Sequence, residues 1–578
     1  MPRPRLTSIQ TSTQTFLQTS SLTILKFGGS VLTAPAALDA VVQHIYRHIR
    51  VGEKVIAVVS AFNGETDRLL QLSHDQVNDP DPGGVAALAE TGELYSAARL
   101  GLALDRAGVS VHVLHAGAIG LQAEGSLLDA TPTNLDTDAV KAALQTASVL
   151  VVPGFVGRTA SGRTCLLGRG GSDLTAIFLA DELQAQRCVL VKDVNGLFDR
   201  DPAVDPRHAQ RFDTVTCDDA LQLDGSIIQH KAVRYATARA RTFEVAGLLR
   251  GPGTYVGSQH TSFSTDRDDQ PPLRVALLGC GTVGDGVRFS LGSLRHVAQL
   301  ASITTRSADG VDPDLYVAPD DLHPHDYDVL IEATGTHDIM PFLEAALKAG
   351  RTVITANKAV LAEHGKSLHS LARRHGGRLL GGASAGGGLP LLEVAAATAV
   401  QFEIISVEAL LNGSTNFVID RIAKGDQVDT AIRQAVTDGL CEADPWRDLA
   451  GQDAADKLVV LHNTIAEDLK LTVRIPTRQD AEAALVSISD DPGEVRQVAR
   501  WSRTEEGASA DVTFESLPET HLLAAARCEE NIAVLHLAEG DPIVIRGRGA
   551  GRWPTSLAVI GDLLQTCARV RSALEVLK

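Results

Sequence analysis

Four short segments of the 578-residue chain hold the residue types from which chemistry could be built. The first is Lys26-Phe27-Gly28-Gly29-Ser30, at the end of a run of β-formers. A glycine turn there can offer backbone N–H groups to a phosphate while the lysine balances its charge. The spacing is not that of a Walker A loop, and an ordinary strand-end turn is the plain alternative. The second is Gly168-Arg169-Gly170-Gly171-Ser172-Asp173, where free backbone donors, a guanidinium and a helix start make an anion site. Asp173 would repel phosphate there unless it holds a metal or a lysine. The third, Gly279-x-Gly281-x-x-Gly284, follows the apolar run Val275–Leu278 and opens a helix, which is the dinucleotide-binding arrangement. Gly279 makes the tight turn, Gly281 lets the backbone approach a pyrophosphate, and Gly284 lets the helix pack closely on the strand. The fourth sets Asp453 and Lys457 four apart on one helix face. It is either an ordinary ion pair worth roughly 0.2–0.5 kcal/mol, or part of a site where carboxylates hold a substrate ammonium and a lysine faces its carbonyl.

These groups need elements to hold them. "LTILKF" (22–27) reads as a strand, the next helix carries Leu38, Val41, Val42, Ile45 and Ile49 on one face, and "KVIAVVSAF" (54–62) is a second buried strand. Strands alternating with helices imply a parallel sheet, whose ligands bind at the carboxyl ends of its strands. After the glycine fingerprint, "LASITTR" (300–306) reads as the next strand and "DVLIEATGT" (328–336) as a buried strand ending in a glycine turn. "RTVITANKAVLAEHG" (351–365) then puts Asn357 and Lys358 at a strand-to-helix junction, where a lysine is either a solvated helix start or a cation beside a nicotinamide. No acid stands at the tip of "LASITTR"; Arg306 there suits a 2′-phosphate, so NADP is expected over NAD. An unliganded surface arginine is the alternative.

Composition bounds the rest. With 44% hydrophobic residues, 51 glycines and 4% aromatics, the chain reads as an α/β enzyme of about four compact domains. A formal charge of -18 argues against nucleic acid or an anionic membrane as partner. Seven cysteines without a CxxC pair fit reduced thiols in a cytoplasm. No apolar run approaches the ~20 residues of a membrane span. Residues 1–21 are rich in Ser, Thr and Gln and read as a disordered leader, and the polar, proline-ended stretch 259–272 as a linker.

The segments "KFGGS", "VVSAFNGETDRLL", "TGELYSA", "VVPGFVG", "LGRGGSDLTA" and "VKDVNGLFDRDP" make residues 22–258 resemble the catalytic domain of aspartokinase, in the amino-acid kinase family. The resemblance implies that Lys26 and Asp173 are the catalytic pair, Lys26 stabilising a transferring γ-phosphoryl and Asp173 organising the charge around it. It sets Thr66, Glu93, Arg169 and Ser172 around aspartate, with Arg169 pairing a carboxylate bidentately. Gly28, Gly29, Ser30, Asp193, Phe198, Asp201 and Pro202 then face the nucleotide, ATP with Mg²⁺. Val31 stands where the family has a serine, and the lysine of "GAKVLHP" is Ile227, with Lys231 close behind.

From Leu273 onward the chain resembles homoserine dehydrogenase, through "LLNGSTNFV" (410–418), "CEADPWRDLAGQDAADKL" (441–458) and "RGRGAGRWPTSLAVIGDLL" (546–564). The last of these matches the segment that returns to border the nicotinamide. The resemblance implies a Rossmann domain at 273–400, an α+β catalytic and dimerisation domain at 401–545, and a returning segment at 546–578. Lys358 and Lys457 become acid–base candidates, while Glu442, Asp448 and Asp453 bind or orient substrate and lysine. Gly279, Gly281, Thr282, Val283, Gly284, Arg306, Thr334, Gly335, Asn357 and Gly549 would line the dinucleotide. The family's glutamate in "EAxVxGGxP", which helps form a monovalent-cation site in relatives, is Gly382; no resident metal is expected. The whole reads as a fused aspartokinase–homoserine dehydrogenase of amino-acid biosynthesis, a homodimer or higher homo-oligomer. The alternative is an active dehydrogenase whose degenerate kinase domain serves as an assembly module.

Fused relatives usually carry paired ACT-type regulatory domains between the halves. Here Ser258–Pro272 is too short to fold alone, since independent domains need roughly 50 residues. Millimolar threonine or lysine is therefore expected to leave the kinase rate unchanged at subsaturating aspartate. Cooperative inhibition at sub-millimolar effector would instead reveal an effector site of another kind.

Overall fold

The computed structural model describes residues 21–223, 227–265, 271–336, 338–438, 440–441, 444–490, 495–526 and 529–576. Its first half is built on runs of Val, Ile and Leu that are buried on both faces, the pattern of a parallel sheet covered by helices. Nine strands lie in the order 262–263, 212–215, 254–256, 243–247, 187–192, 22–27, 54–59, 149–153 and 111–113. Pairing is parallel from 243–247 through 187–192 and 22–27 to 111–113, so these carboxyl ends share one edge. The pair Ser262–Phe263 joins antiparallel to 212–215, so part of the stretch read as a linker is an edge strand of this sheet.

Four helices position the first half's functional residues or its junction with the second: α1 (Leu38–Ile49), α2 (Glu65–Gln76), α3 (Pro82–Arg106) and α4 (Gly171–Glu182). Asp81 caps α3 by accepting from the Gly84 N–H at 3.0 Å, with Pro82 at the first helical position. The expected apolar face of α1 is buried, and so are its polar residues Gln43, His44 and His48. A helix covered all round is packed between two bodies, and here the second body is the other half of the chain.

That half begins with five parallel strands in the order 298–304, 273–278, 329–332, 352–355, 378–380. The chain reverses direction across the sheet between 273–278 and 329–332, and ligands bind at such switch points. Helices α5 (Thr282–Leu291), α6 (Lys358–His375), α7 (Gly382–Gly386) and α8 (Leu391–Ala399) follow. A six-stranded sheet then runs in the order 471–474, 507–516, 495–504, 404–410, 530–537, 543–548, with α9 (Gln452–Ile465) against it. Its last strand extends to Arg548, so residues 546–548 belong to this sheet rather than to the returning segment.

The return is made by α10 (Arg552–Val576), which packs on α5 and α7 and also on α1. One apolar cluster runs from Leu25 and Ile45 of the first half through Leu557, Ile560 and Leu563 to Leu277 of the second. Arg106 stacks over Trp553 at 4.6 Å, and Arg548 pairs with Asp105 at 3.1 Å. The two halves are thus continuous through a shared core. No helix among the described residues is long and apolar enough to cross a membrane.

Candidate active sites

In the first half, Lys26 stands on strand 22–27 and Asp173 in the first turn of α4, and both are buried. The Lys26 Nζ lies 2.7 Å from Asp173 Oδ1. A second lysine, Lys192, closes the group from the end of strand 187–192, with its Nζ 3.1 Å from Asp173 Oδ2. Burial alone would raise the Asp173 carboxyl, but Lys26 and Lys192 overcome it and hold the group below the usual carboxylate range. Burial likewise lowers Lys192, with Asp173 opposing. So the carboxylate that phosphate should repel is neutralised twice, and the cluster carries one excess positive charge. Lys192 sits inside the motif "VKDVNGLFDRDP", but only the register of two parallel strands shows that it reaches Asp173.

Gly28 leaves room for the Lys26 ammonium, since a Cβ there would stand 2.8 Å from Lys26 Nζ and push it from its place beside Asp173. Gly170 takes a left-handed conformation, φ +77°, and lets the loop turn directly into α4. Ser30 and Arg169 are exposed on their loops, Ser172 is buried, and Thr66 is half-buried in the first turn of α2. Arg169 makes no ion pair among the described residues. Asp193 follows Lys192 directly and is exposed. Phe198 pairs with Arg211 and Asp201 caps the turn at Ala203, so Asp193 to Pro202 form one loop beyond the same sheet edge. Ile227 packs into the first-half core, and Lys231 is engaged below the glycine loop, with Nζ 2.7 Å from the Leu167 carbonyl and 2.5 Å from Asp129.

Glu93 of α3 is fully buried near this centre, and its Oε2 has no hydrogen-bond partner. Burial pushes its carboxyl up to about 8, against the pull of the Ala61 backbone and Lys26.

In the second half the glycines do what their spacing asks. Gly279 has φ +94°, and a Cβ there would press on the Ala333 carbonyl oxygen at 2.9 Å. A Cβ on Gly284 would overlap the Gly279 carbonyl oxygen, whereas Gly281 faces open space. That combination, a tight turn and an open backbone at the N-terminus of α5, fits a dinucleotide pyrophosphate. Thr282 and Val283 form the first turn of α5, and the Val283 carbonyl accepts from Ser556 of α10 at 3.1 Å. Across the switch point, Glu332 is buried without an ion pair among the described residues; its Oε1 accepts from the Thr334 N–H and hydroxyl, both at 2.7 Å. Gly335 turns outward with φ +72°. Asn357 caps α6 through Val360 N and donates to the Thr336 carbonyl at 2.8 Å, tying two loops of the sheet edge together. Arg306 is exposed just past strand 298–304.

Beside this edge the second-half site assembles around Asp453. Lys358, at the start of α6, contacts Asp453 Oδ1, and Lys457 Nζ lies 2.8 Å from Oδ2. Burial would raise the Asp453 carboxyl, yet Lys457 and Lys358 together hold it well below the usual range. Lys457 also donates to the Leu411 carbonyl at 2.5 Å. Asp448 is pushed up by burial and by Asp453, and accepts from Ser414 at 3.0 Å. Asn412 donates to Asp453 Oδ2 at 3.2 Å. Asn412 and Ser414 belong to the segment "LLNGSTNFV", and neither stands out in it; their place in the site comes from sheet pairing that no local pattern records. Gly549 packs so closely on Asn531 that a Cβ would overlap it, and Asn531 shares the Leu411 carbonyl with Lys457. Glu442 lies outside the described residues.

With both centres in view, the comparison with known proteins is direct. Residues 21–242 match the amino acid kinase family, residues 279–381 the homoserine dehydrogenase NAD-binding domain, and residues 390–564 homoserine dehydrogenase. The chain joins a region of the amino acid kinase family to regions that match homoserine dehydrogenase and its NAD-binding domain. The kinase half is similar to aspartokinase of Pseudomonas aeruginosa, 31% identical over 41% of this chain and 58% of the relative. It is also similar to aspartokinase of Helicobacter pylori, 33% identical over 35% of this chain and 50% of the relative. The dehydrogenase half is similar to homoserine dehydrogenase of Corynebacterium glutamicum, 28% identical over 52% of this chain and 74% of the relative. The chain thus spans about half the length of the aspartokinases it matches. Between the kinase and NAD-binding matches lie only residues 243–278.

The raised Glu93 gives the kinase half a pH signature. Its folded pKa, about 8, lies above the ordinary glutamate value, so its stability contribution is complete at low pH and is lost as pH rises toward 8. Glu93→Gln should therefore raise Tm relative to wild type, and the gap should widen between about pH 5 and pH 8. A gap that does not change with pH would place the Glu93 charge outside the folding equilibrium.

Proposed function

We propose that the kinase half transfers the γ-phosphoryl group of ATP to the side-chain carboxylate of L-aspartate, and that the dehydrogenase half interconverts aspartate semialdehyde and homoserine with NADP. One observation carries the reading: each half places two lysines around one buried aspartate at the carboxyl edge of a parallel sheet.

In the kinase half, phosphoryl transfer needs positioning and charge stabilisation more than covalent chemistry. Lys26 meets the transferring phosphoryl oxygens, and Asp173 holds Lys26 and Lys192 apart at a fixed separation. The backbone N–H groups of Gly28, Gly29 and Ser30 cradle phosphate, and the 193–202 loop covers the nucleotide. Arg169 grips a substrate carboxylate, and Thr66 and Ser172 flank it. Glu93 receives the substrate ammonium, which would draw its carboxyl back into the ionised form. Mg²⁺ would enter with the nucleotide and neutralise its phosphate charge.

In the dehydrogenase half, Gly279, Gly281, Thr282, Val283 and Gly284 hold the pyrophosphate, and Arg306 the 2′-phosphate. Thr334, Gly335, Asn357 and Gly549 shape the nicotinamide end. The bound nicotinamide supplies or accepts the hydride. Asp448, Asp453 and Glu442 hold the substrate ammonium, while Lys358 and Lys457 move the proton at the substrate oxygen. The Lys358 side chain is 34% exposed and that of Lys457 9%, so Lys358 has the path to water and Lys457 the fixed geometry.

The shared core also supports a second role for the first half, as a scaffold on which the dehydrogenase is assembled. Val400, Phe402 and Ile405, left exposed, support a homo-oligomer, and the six described cysteines, none in a disulfide, support a cytoplasmic location.

Coupled assays of the purified chain separate the activities. Lys26→Ala should abolish aspartate-dependent ADP release and leave homoserine oxidation nearly intact. Lys457→Ala should do the reverse, lowering dehydrogenase kcat by about a hundredfold or more. A wild-type chain with no aspartate-dependent ATP turnover would leave only the scaffold role for the first half.

Cofactor choice has its own test. Arg306→Asp should weaken NADP more than NAD, by removing a phosphate partner and adding a repelling charge. Equal kcat/KM for the two cofactors in both proteins would remove Arg306 from recognition.

A further inference from the structure

Helix α1 belongs to the kinase half, yet its last side chain is buried in the dehydrogenase half. Arg50, the C-cap of α1, donates from Nε and Nη2 to Glu393 Oε1 of α8 at 3.1 and 2.9 Å. The same Nη2 meets Asp562 Oδ1 of α10. The other Asp562 oxygen accepts from the N–H of Gly382, the first residue of α7, at 3.0 Å. Two glycines make the room: a Cβ on Gly382 would overlap Glu393 Oε1, and one on Gly561 would stand 2.7 Å from Arg50 Nη1. Among the described residues neither carboxylate pairs with any other cation. The dehydrogenase half alone would therefore hold the buried Asp562 carboxylate beside the half-buried Glu393 carboxylate, with no cation of its own against them among the described residues.

We propose that Arg50, supplied by the kinase half, is the counter-cation of a buried carboxylate pair in the dehydrogenase half and is a positioning residue for its active site. The route is short. Asp562 holds the start of α7, and α7 packs against both α10 and α9, the helix that carries Asp453 and Lys457. Without the guanidinium, Glu393 and Asp562 must take up a proton, admit another cation or move apart. Moving apart separates α8 from α10 and shifts α7 beneath the reacting lysine. Two histidines share the cavity wall with the pair, His48 of α1 and His369 of α6, and burial lowers both. α1 presents Arg50 and the Tyr46 ring, with Arg50 5.9 Å from the ring centre. α7 presents the Gly382 N–H, strand 352–355 carries no charged residue, and the Asp285–Arg288–Arg552 group of α5 and α10 lies ten residues before Asp562 along α10. Burial and Glu393 already push Asp562 up to about 6 against the pull of Arg50. All three side chains lie on the wall of a cavity of about 1540 Å³ between the halves, so a small solute can reach them.

The test uses the full chain and rests on the dehydrogenase reading above; it follows homoserine-dependent NADP reduction, aspartate-dependent ADP release and Tm together. Arg50→Ala should lower dehydrogenase kcat by about tenfold or more at about pH 8, with KM changed far less and kinase turnover within about twofold of wild type. The deficit should shrink as pH falls toward about 6, because protonation of the carboxylates substitutes for the lost cation. Guanidinium at about 20 mM should restore Arg50→Ala and leave wild type unchanged, since the ion fits the space the side chain vacated. Arg50→Ala/Glu393→Gln/Asp562→Asn should regain most of the rate without any added cation. A deficit that neither guanidinium, nor lower pH, nor the neutralised triple variant reduces overturns the proposal, and so does an Arg50→Ala enzyme equal to wild type. If Arg50→Ala does not fold, the triple variant decides: soluble protein supports the charge argument, and failure to fold overturns it. If wild type does not oxidise homoserine, the dehydrogenase reading fails by itself, and the pH- and guanidinium-dependence of the Arg50→Ala Tm still decides the role of Arg50.

Discussion

An ionised carboxylate removed from water costs on the order of several kcal/mol even after its surroundings relax, unless cations stand against it. Three centres of this protein are solutions to that one constraint. Asp173 is met by Lys26 and Lys192, and Asp453 by Lys358 and Lys457. Around Asp173 the cations outnumber the acid, so the cluster keeps a net positive charge, whereas Asp448 stands beside Asp453 and brings the second site's carboxylates level with its two lysines. At the seam the proportion is inverted, with Glu393 and Asp562 sharing Arg50. Two of these arrangements lie at the carboxyl edges of parallel sheets, and the third joins the two halves.

A fourth buried acid shows the other available solution. Among the described residues Glu332 meets no cation and is satisfied by the Thr334 backbone and by the Thr334 and Thr355 hydroxyls. Those donors sit at the ends of neighbouring parallel strands, so the carboxylate ties together the loops that border the dinucleotide turn. Its electrostatic problem is solved by geometry that the sheet has already fixed, which leaves Lys358 and Lys457 to Asp453.

Much of this was legible in the sequence. The glycine turns could be read because each glycine answers a local steric demand: Gly28 clears Lys26, Gly284 clears the Gly279 carbonyl, and Gly279 takes a positive φ. The amphipathic face of α1 and the parallel strands followed from period and composition. What could not be read was every contact set by register or by docking. Lys192 reaches Asp173 because strand 187–192 lies beside strand 22–27. Asn412 and Ser414 join Asp453 and Asp448 across tens of residues. The burial of polar residues on α1 could not be read either: His44 is covered by Leu249 and Phe27, His48 by Glu53, and Gln43 lies beside Trp553 and Leu557 of α10. The stretch read as a linker likewise donates Ser262–Phe263 to the sheet edge, a pairing that two residues cannot announce.

The seam also sets a schedule for the growing chain on the ribosome. Arg50 and Asp562 are 512 residues apart, and α10 is made after every surface it covers. Until it emerges, the faces of α1, α5 and α7 on which it packs have no cover. Contacts of such sequence separation form late and slowly, while exposed apolar surface invites misassembly. Nascent chains should therefore lean on chaperones until the last helix is released. A premature stop shortly before Arg552 would leave both halves unfinished, although most of each had already been made.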